Sequence, residues 1–308
     1  VILAAGLSPA WQRIMVFDDL QPGEVNRARE VVNCASGKVL NVAIGLKHLG
    51  MSVHCLSSCG GEPAALMKRE FETLEIPTTW IETSAPTRTC TTVIDRGTSQ
   101  ITELVENTEL IGADELNLWK DSFRSLARQD DLLVLSGSLP VGVPSTLFAD
   151  LLSASDVPAI LDVRREELLA ALPHQPRVIK PNREELEQTV GRPLPERQDV
   201  LTAADELRQA GAEWVVISDG AQPLTVVGPE ERFSVAVCSV EQVVNPIGCG
   251  DSLTAGIAAA IHEDRPMTEA IRWGVACSAQ NLQSLLPARL DYDRMLATVD
   301  SLKLERIV

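Results

Sequence analysis

Aromatic side chains are scarce in this chain. Phe, Trp and Tyr make up 4% of its 308 residues, with a single Tyr, so Leu, Val, Ile and Ala must fill the core. Basic charge is also short: 27 Lys and Arg face 43 Asp and Glu, a net charge of −16. A surface of that sign repels nucleic acid and anionic membranes, which argues against both as general partners. Any phosphate site must therefore be locally basic against the overall field. No apolar run reaches the length of a membrane span and no signal-peptide pattern is visible, so a cytoplasmic protein is expected. Histidine is limited to four scattered positions, and the seven Cys are scattered and odd in number. Cys55 and Cys59 have no second pair at metal-ligand spacing, which argues against zinc and for reduced, mostly buried thiols. A Gly-x4-Gly-Lys-Ser/Thr loop is absent, which argues against a P-loop kinase. Neither repeats nor low-complexity segments occur.

The length suits one large α/β domain or two smaller ones. Continuous apolar runs at 1–5, 53–57, 131–136, 158–161, 178–179 and 214–218 read as buried strands. Between most of them lie helical patterns, for example 39–49, 62–74, 113–127 and 199–210. Such alternation predicts a mostly parallel sheet covered on both faces. Polar residues just past the strand ends then become candidates for function: Ser136-Gly137, Asp162, Asn182 and Ser218-Asp219-Gly220. Two early segments, 12–18 with 27–33 and 88–95 with 100–105, alternate polar and apolar residues. They do not suit the central sheet and predict a small separate one acting as a lid.

The stretch from Asn245 to Asp251 carries the sharpest chemistry. Gly248 and Gly250 permit a tight turn and a close approach to a ligand. The free amides at the start of the following helix form an anion cradle, with the Asp251 carboxylate at its edge. On these residues alone the plainer reading stands ahead: a turn, followed by an ordinary acid in the first turn of a helix. A helix start also predicts a depressed pKa for Asp251.

The chain resembles the ribokinase-like (PfkB) carbohydrate kinases. The resemblance rests on Pro22-Gly23-Glu24-Val25-Asn26-Arg27-Ala28, Ser36-Gly37-Lys38-x-x-Asn41-Val42-Ala43, Thr87-Arg88, Ser136-Gly137-Ser138-Leu139-Pro140, Lys180-Pro181-Asn182-x-x-Glu185-Leu186 and Gly248-Cys249-Gly250-Asp251. The order and spacing of these segments, over nearly the whole chain, carry the specificity. They are most similar to the branch containing 1-phosphofructokinase, tagatose-6-phosphate kinase and the minor 6-phosphofructokinase. The resemblance implies a single ribokinase-like α/β domain over 1–308, with a β-sheet lid formed by about 11–35 and 87–105. It implies ATP- and Mg²⁺-dependent phosphorylation of a ketohexose phosphate, and a homodimer assembled through the lids.

The resemblance also implies roles. Asp251 becomes the base, and Gly248, Cys249 and Gly250 supply amides to the transferring phosphoryl group. Gln12, Gly37, Lys38, Asn41, Arg88 and Ser138 face the substrate, and Arg27 reaches it from its own or a partner subunit. Asn182 and Glu185 organise Mg²⁺ through water, although Asn-x-x-Glu is also a helix-capping pattern. Ser218 and Gly220 lie on the nucleotide side, and Asn281 lines the adenine pocket.

The chain departs from the family at several points. The usual Asn-Pro-Ala-x-Asp reads Ser8-Pro9-Ala10-Trp11-Gln12, so a charged acceptor for sugar hydroxyls is replaced by a neutral amide. Gly-Gly-Lys-Gly reads Ser36-Gly37-Lys38-Val39. Cys249 replaces the middle Ala of the turn, which brings an oxidant-sensitive thiol to the site. The small polar run after Asp162 becomes Val163-Arg164-Arg165, which is bulkier and basic. Two alternatives remain open: a kinase of an unphosphorylated sugar or nucleoside, and a non-catalytic sugar-phosphate sensor.

Overall fold

The computed structural model describes residues 1–127 and 132–307. Asp131, expected to open a strand, lies outside the described residues. Strands β1 (Ile2–Ala5), β2 (Ala10–Phe17) and β3 (Glu30–Ser36) precede helix α1 (Lys38–His48). Next come β4 (Val53–Cys59), α2 (Gly61–Thr73), β5 (Thr78–Glu82), β6 (Thr89–Asp95), β7 (Gln100–Val105) and α3 (Ala113–Leu126). A regular stretch runs through β8 (Leu132–Ser136), α4 (Leu147–Leu152), β9 (Ala159–Asp162), α5 (Arg165–Ala171) and β10 (Val178–Ile179). It continues through α6 (Arg183–Val190), α7 (Arg197–Gln209), β11 (Trp214–Asp219), β12 (Gln222–Val227) and β13 (Arg232–Val235). Helices α8 (Cys249–His262), α9 (Met267–Leu282) and α10 (Tyr292–Val299) lead to β14 (Leu304–Arg306).

The main sheet has ten strands in the order β14-β13-β12-β11-β10-β9-β8-β1-β4-β5. Strands β5 to β11 in that order are parallel, and β12, β13 and β14 extend the sheet antiparallel. Two apolar clusters cover its faces. One gathers α1, α8 and α9 around residues such as Ile44, Ile257 and Trp273; the other gathers Trp119, Phe148 and Leu186. The parallel strands are buried on both sides, which is why they read as unbroken apolar runs. Strands β5 and β14 escape the sequence reading. Both are edge strands with mixed exposure, so neither carries that signal.

A second sheet has the order β3-β2-β6-β7, with β2 and β6 parallel. The two early alternating segments do form a sheet of their own. Ala10, Gln12, Ile14 and Val16 are buried along one face of β2, the period-two pattern of a half-covered strand. Strand β3 begins at Glu30 rather than at 27, which leaves Arg27 on the exposed connection before it.

Helix α8 is placed by close packing. A Cβ on Gly256 would lie 2.8 Å from the Gly274 backbone, so the pair lets α8 and α9 approach closely. Among the described residues no helix is long and apolar enough to cross a membrane.

Candidate active site

The turn before α8 is held from behind. Gly248 sits at φ 85°, and a Cβ there would come within 2.7 Å of Pro287. A side chain is therefore excluded by backbone conformation and by space together. Asn281 on α9 clamps the turn: Nδ2 donates to Ile247 O at 2.8 Å, and Oδ1 accepts from Ala288 N at 2.7 Å and Ser252 Oγ at 3.2 Å. Asn245 Oδ1 accepts from Ile247 N at 3.0 Å. Asn281 is fully buried. This corrects the expectation that it lines an adenine pocket: its amide is used up inside the fold, positioning the turn.

The turn projects Asp251 into a polar cavity of about 530 Å³. The cavity sits over the carboxyl ends of β1, β8, β9 and β10 and under the second sheet. Asn41 Nδ2 donates to Asp251 Oδ2 at 2.7 Å, and among the described residues no donor reaches Oδ1. Asp162, at the end of β9, accepts from Lys38 Nζ at 2.8 Å and lies 3.4 Å from Lys180 Nζ. Glu185 Oε1 meets Lys38 at 3.4 Å. Three carboxylates thus share two ammonium groups.

That shortage sets the titration. Burial, followed by the Asp162 charge, pushes Asp251 up to about 6 against the pull of Lys38, Asn41 and Lys180. The depressed value expected from a helix start is therefore overturned: desolvation and a neighbouring carboxylate outweigh the helix dipole. Asp162 goes the other way. Burial works to raise it, but Lys180 and Lys38 prevail and hold it below the usual carboxylate range. Burial also opposes the Lys38 charge, yet Asp162, Glu185 and Asp251 together raise its pKa.

Cys249 lies in the first turn of α8, with Asn281 Nδ2 at 3.3 Å from Sγ. Burial pushes the thiol up to about 11, the Asn281 and Ser278 contacts oppose that shift, and the Asp251 charge adds to it. The thiol stays protonated at neutral pH. The oxidant sensitivity expected of it loses its chemical basis, because the thiolate is the reactive form.

Gln12, Gly37, Lys38, Asn41, Arg88 and Ser138 all line this cavity, as do Asn182 and Glu185. Gln12 is buried, and its Nε2 donates to Thr92 Oγ1 at 2.7 Å. Arg88 is held only by long bonds to the carbonyls of Pro9, Glu106 and Ser8, at 3.4, 3.3 and 3.4 Å. Ser138 Oγ donates to Ser8 Oγ at 3.4 Å. Arg27 is exposed and does not line the cavity of its own chain.

A second cavity of about 750 Å³ adjoins the first and shares Ser218, Pro246, Cys249 and Gly250 with it. Gly220 lies on its edge, and its walls are apolar, including Leu224, Val243, Leu253 and Leu282. A polar cavity and an apolar one thus meet at the glycine turn. The apolar space suits a flat heterocycle with its phosphates directed at the turn.

Asn182 and Glu185 form a reciprocal helix cap: Glu185 N donates to Asn182 Oδ1 at 2.8 Å, and Asn182 N to Glu185 Oε2 at 3.0 Å. The capping reading of Asn-x-x-Glu therefore holds. It leaves Glu185 Oε1 facing the cavity, where among the described residues only Lys38 bonds it. One buried carboxylate oxygen fits Mg²⁺ that arrives on nucleotide phosphates and keeps its water, rather than a protein-enclosed ion.

Lys180 is a participant that the sequence does not single out, and Asp162, a strand-end candidate, gains a definite place. Lys180 is 4% exposed, and its Nζ lies 3.5 Å from where a Cβ on Gly250 would stand. Asp162 is the hub of the charge network. Both follow apolar strand runs, and that was the available signal.

An α/β kinase with a detached small sheet is the class that this fold defines. A family model described as pfkB family carbohydrate kinase matches residues 10–290, and the chain belongs to that family. It is an ATP-dependent sugar kinase. Among solved structures, phosphofructokinase-2 from Escherichia coli in complex with fructose-6-phosphate is 26% identical, with a TM-score of 0.86 over 97% of this chain and 98% of that one. A tetrameric inhibited form of the same E. coli enzyme is 25% identical, with a TM-score of 0.87 over the same shares of the two chains. A Thermotoga maritima protein described as a possible 1-phosphofructokinase is 21% identical, with a TM-score of 0.91 over 100% of this chain and 99% of that one. At that identity it speaks for the fold alone.

Proposed function

We propose that the chain transfers the terminal phosphoryl group of ATP to a hydroxyl of a ketohexose phosphate, of the fructose 1-phosphate, fructose 6-phosphate or tagatose 6-phosphate type. The observation that carries this reading is the junction itself: Asp251 and the Gly248–Gly250 amides stand where the polar and apolar cavities meet. The sugar lies in the polar cavity and the adenine in the apolar one. Asp251 Oδ1 accepts the reacting hydroxyl, while the Asn41 bond fixes the carboxylate plane. The hydroxyl oxygen attacks the terminal phosphorus in line, the bond to the bridging oxygen of ADP breaks, and Asp251 takes the proton. With a pKa near 6, Asp251 is mostly ionised at pH 7 and closer to a useful base than an ordinary Asp.

The turn amides and Lys180 face the charge of the transferring group. Mg²⁺ on the nucleotide phosphates neutralises charge when bound, and Glu185 is the residue that holds its water. Arg88 takes the phosphate of the sugar, where its loosely held guanidinium is free to turn. The second sheet acts as a lid over this cavity, within a single kinase domain. Its exposed apolar residues, such as Val31 and Leu104, suit assembly of a dimer through the lids. Arg27 then stands on the connection nearest a partner.

One observation favours a second reading. Lys38 is already engaged by Asp162 and Glu185, which leaves fewer cations for a sugar phosphate and suits an unphosphorylated sugar. An ADP-release assay over sugars and sugar phosphates, with Asp251→Asn as control, decides. Turnover with a ketohexose phosphate supports the first reading, turnover with neutral sugars alone supports the second, and no turnover rejects both.

A further inference from the structure

Arg164 is a residue to which the reading above gives no role. It directly follows the buried end of β9, two residues past Asp162, and lines the polar cavity. Seven arginines elsewhere among the described residues meet a carboxylate within 4.0 Å. Among the described residues Arg164 meets none and makes no side-chain hydrogen bond. Two arginines line the polar cavity; Arg88 is bonded to three carbonyls, while Arg164 is left open to a ligand.

The backbone around Arg164 is fastened. Arg165 sits at φ 54°, in the left-handed region that a branched or long side chain rarely adopts. Its amide donates to Thr189 Oγ1 at 3.1 Å and its Nε to Gln188 Oε1 at 2.9 Å. These bonds tie the turn to α6. The strained residue redirects the chain into α5 and leaves Arg164 over the strand ends. Strain held in place by side-chain bonds points to a position that matters.

The sheet order then selects the ligand. Gly137 and Ser138 follow β8, on one side of β9; Lys180 and Asn182 follow β10, on the other; Ser218, shared with the apolar cavity, ends β11 beyond them. Arg88 lies toward the small sheet instead. Arg164 therefore emerges between these two groups of strand ends, one strand away from Lys180, whose Nζ lies 3.5 Å from where a Cβ on Gly250 would stand. A planar guanidinium suits two phosphate oxygens at once.

We propose that Arg164 binds the terminal phosphate of the nucleotide, as a cation added from the end of β9. This rests on the reading of the chain as a kinase with the nucleotide in the apolar cavity. When ATP enters, the guanidinium swings onto the oxygens of the terminal phosphate. It stays on them as charge shifts toward the bridging oxygen of ADP.

The test compares Arg164→Ala and Arg164→Lys with the unchanged protein. ATP and ADP binding are measured by calorimetry with Mg²⁺ and without sugar, and steady-state kinetics use fructose 6-phosphate and fructose 1-phosphate. Arg164→Ala is expected to weaken ATP binding roughly tenfold or more, the scale of a lost charged hydrogen bond. ADP binding and the KM for the sugar phosphate change less than about twofold, because neither ligand carries the group that Arg164 touches. Arg164→Lys keeps part of the effect, and added guanidinium restores part of the activity of the Ala variant. If the sugar-phosphate KM rises instead, or ATP and ADP weaken equally, or nothing changes, the proposal is overturned. Arg164→Gln repeats the comparison should the Ala variant lose its fold. Failure of the unchanged protein to phosphorylate either sugar would strike the proposed function, while the ATP and ADP binding comparison would still decide Arg164.

Discussion

The turn before α8 and the inner face of the small sheet border one cavity, and they are held very differently. The turn is held by short bonds: Asn281 and Asn245 hold Ile247, Gly248 excludes a side chain, and Asn41 fixes one oxygen of Asp251. On the small-sheet side Arg88 rests on three long carbonyl contacts, and among the described residues the Gln12 side chain bonds only Thr92. The first region can keep reacting atoms in place, and the second can adjust to what is bound. Groups that act in a transition state need the former; groups that select a substrate tolerate the latter.

The largest effect should come from the rigid side. Asp251→Asn should lower kcat by about 10³-fold, within the usual range for a general base, as seen in steady-state assays. The same change should raise the melting temperature at pH 8. The folded pKa of Asp251 lies above its ordinary value, so its contribution to stability is fullest below the ordinary carboxylate pKa and is lost as pH rises through about 6. Replacing the carboxylate removes that penalty at pH 8 and changes little at pH 4. A fall in melting temperature at pH 8 would contradict the charge count at the site.

Asp162→Asn should come next and should act on stability. Lys180 is buried beside it, and removing one partner of a buried pair costs about 3–5 kcal/mol in a denaturant titration. An effect under about 1 kcal/mol would show that the pair is solvated, as exposed pairs are.

Across the cavity the effects should shrink and change character. Arg88→Ala should raise the KM for a sugar phosphate by about 10- to 100-fold, the scale of a lost charged hydrogen bond, with kcat nearly kept. An equal loss of kcat would place Arg88 with the rigid region instead. The smallest effect should be at Cys249. Cys249→Ser should keep kcat within about twofold, and thiol reagents at pH 7 should inactivate slowly, because the thiol is protonated. Rapid inactivation that the Ser variant escapes would revive the oxidant-sensitive reading.

The sequence made the rigid region legible and the adaptable one only partly so. Apolar runs ending at Ser136, Asp162 and Ser218 announce buried parallel strands, because such strands are covered on both faces. The glycine turn is visible because few residues other than Gly tolerate its geometry. Strands β5 and β14 stayed hidden, since edge strands with mixed exposure lack an apolar run. The pKa of Asp251 lies on the opposite side of the ordinary value from what its helix start predicts. Local sequence reveals a helix start, but the burial and the Asp162 charge that override it come from distant segments. Lys180 beside Pro181 and Asn182 looks like a surface lysine until the fold turns it toward Gly250. Asn281 lies buried behind the turn, and its spacing in the sequence cannot say which face of α9 it occupies.

The central claim is that Asp251 is the base and that a shortage of cations around it sets its pKa. The pH dependence of kcat/KM, compared between the unchanged protein and Asp162→Asn, tests this most directly. Phosphate groups on both substrates also titrate near pH 6, so the difference between the two profiles carries the information. Removing Asp162 takes away a charge that raises Asp251 and frees two ammonium groups that lower it. The acid limb should therefore lie near pH 6 in the unchanged protein and move to lower pH in the variant. A limb at the same pH in both would contradict the account.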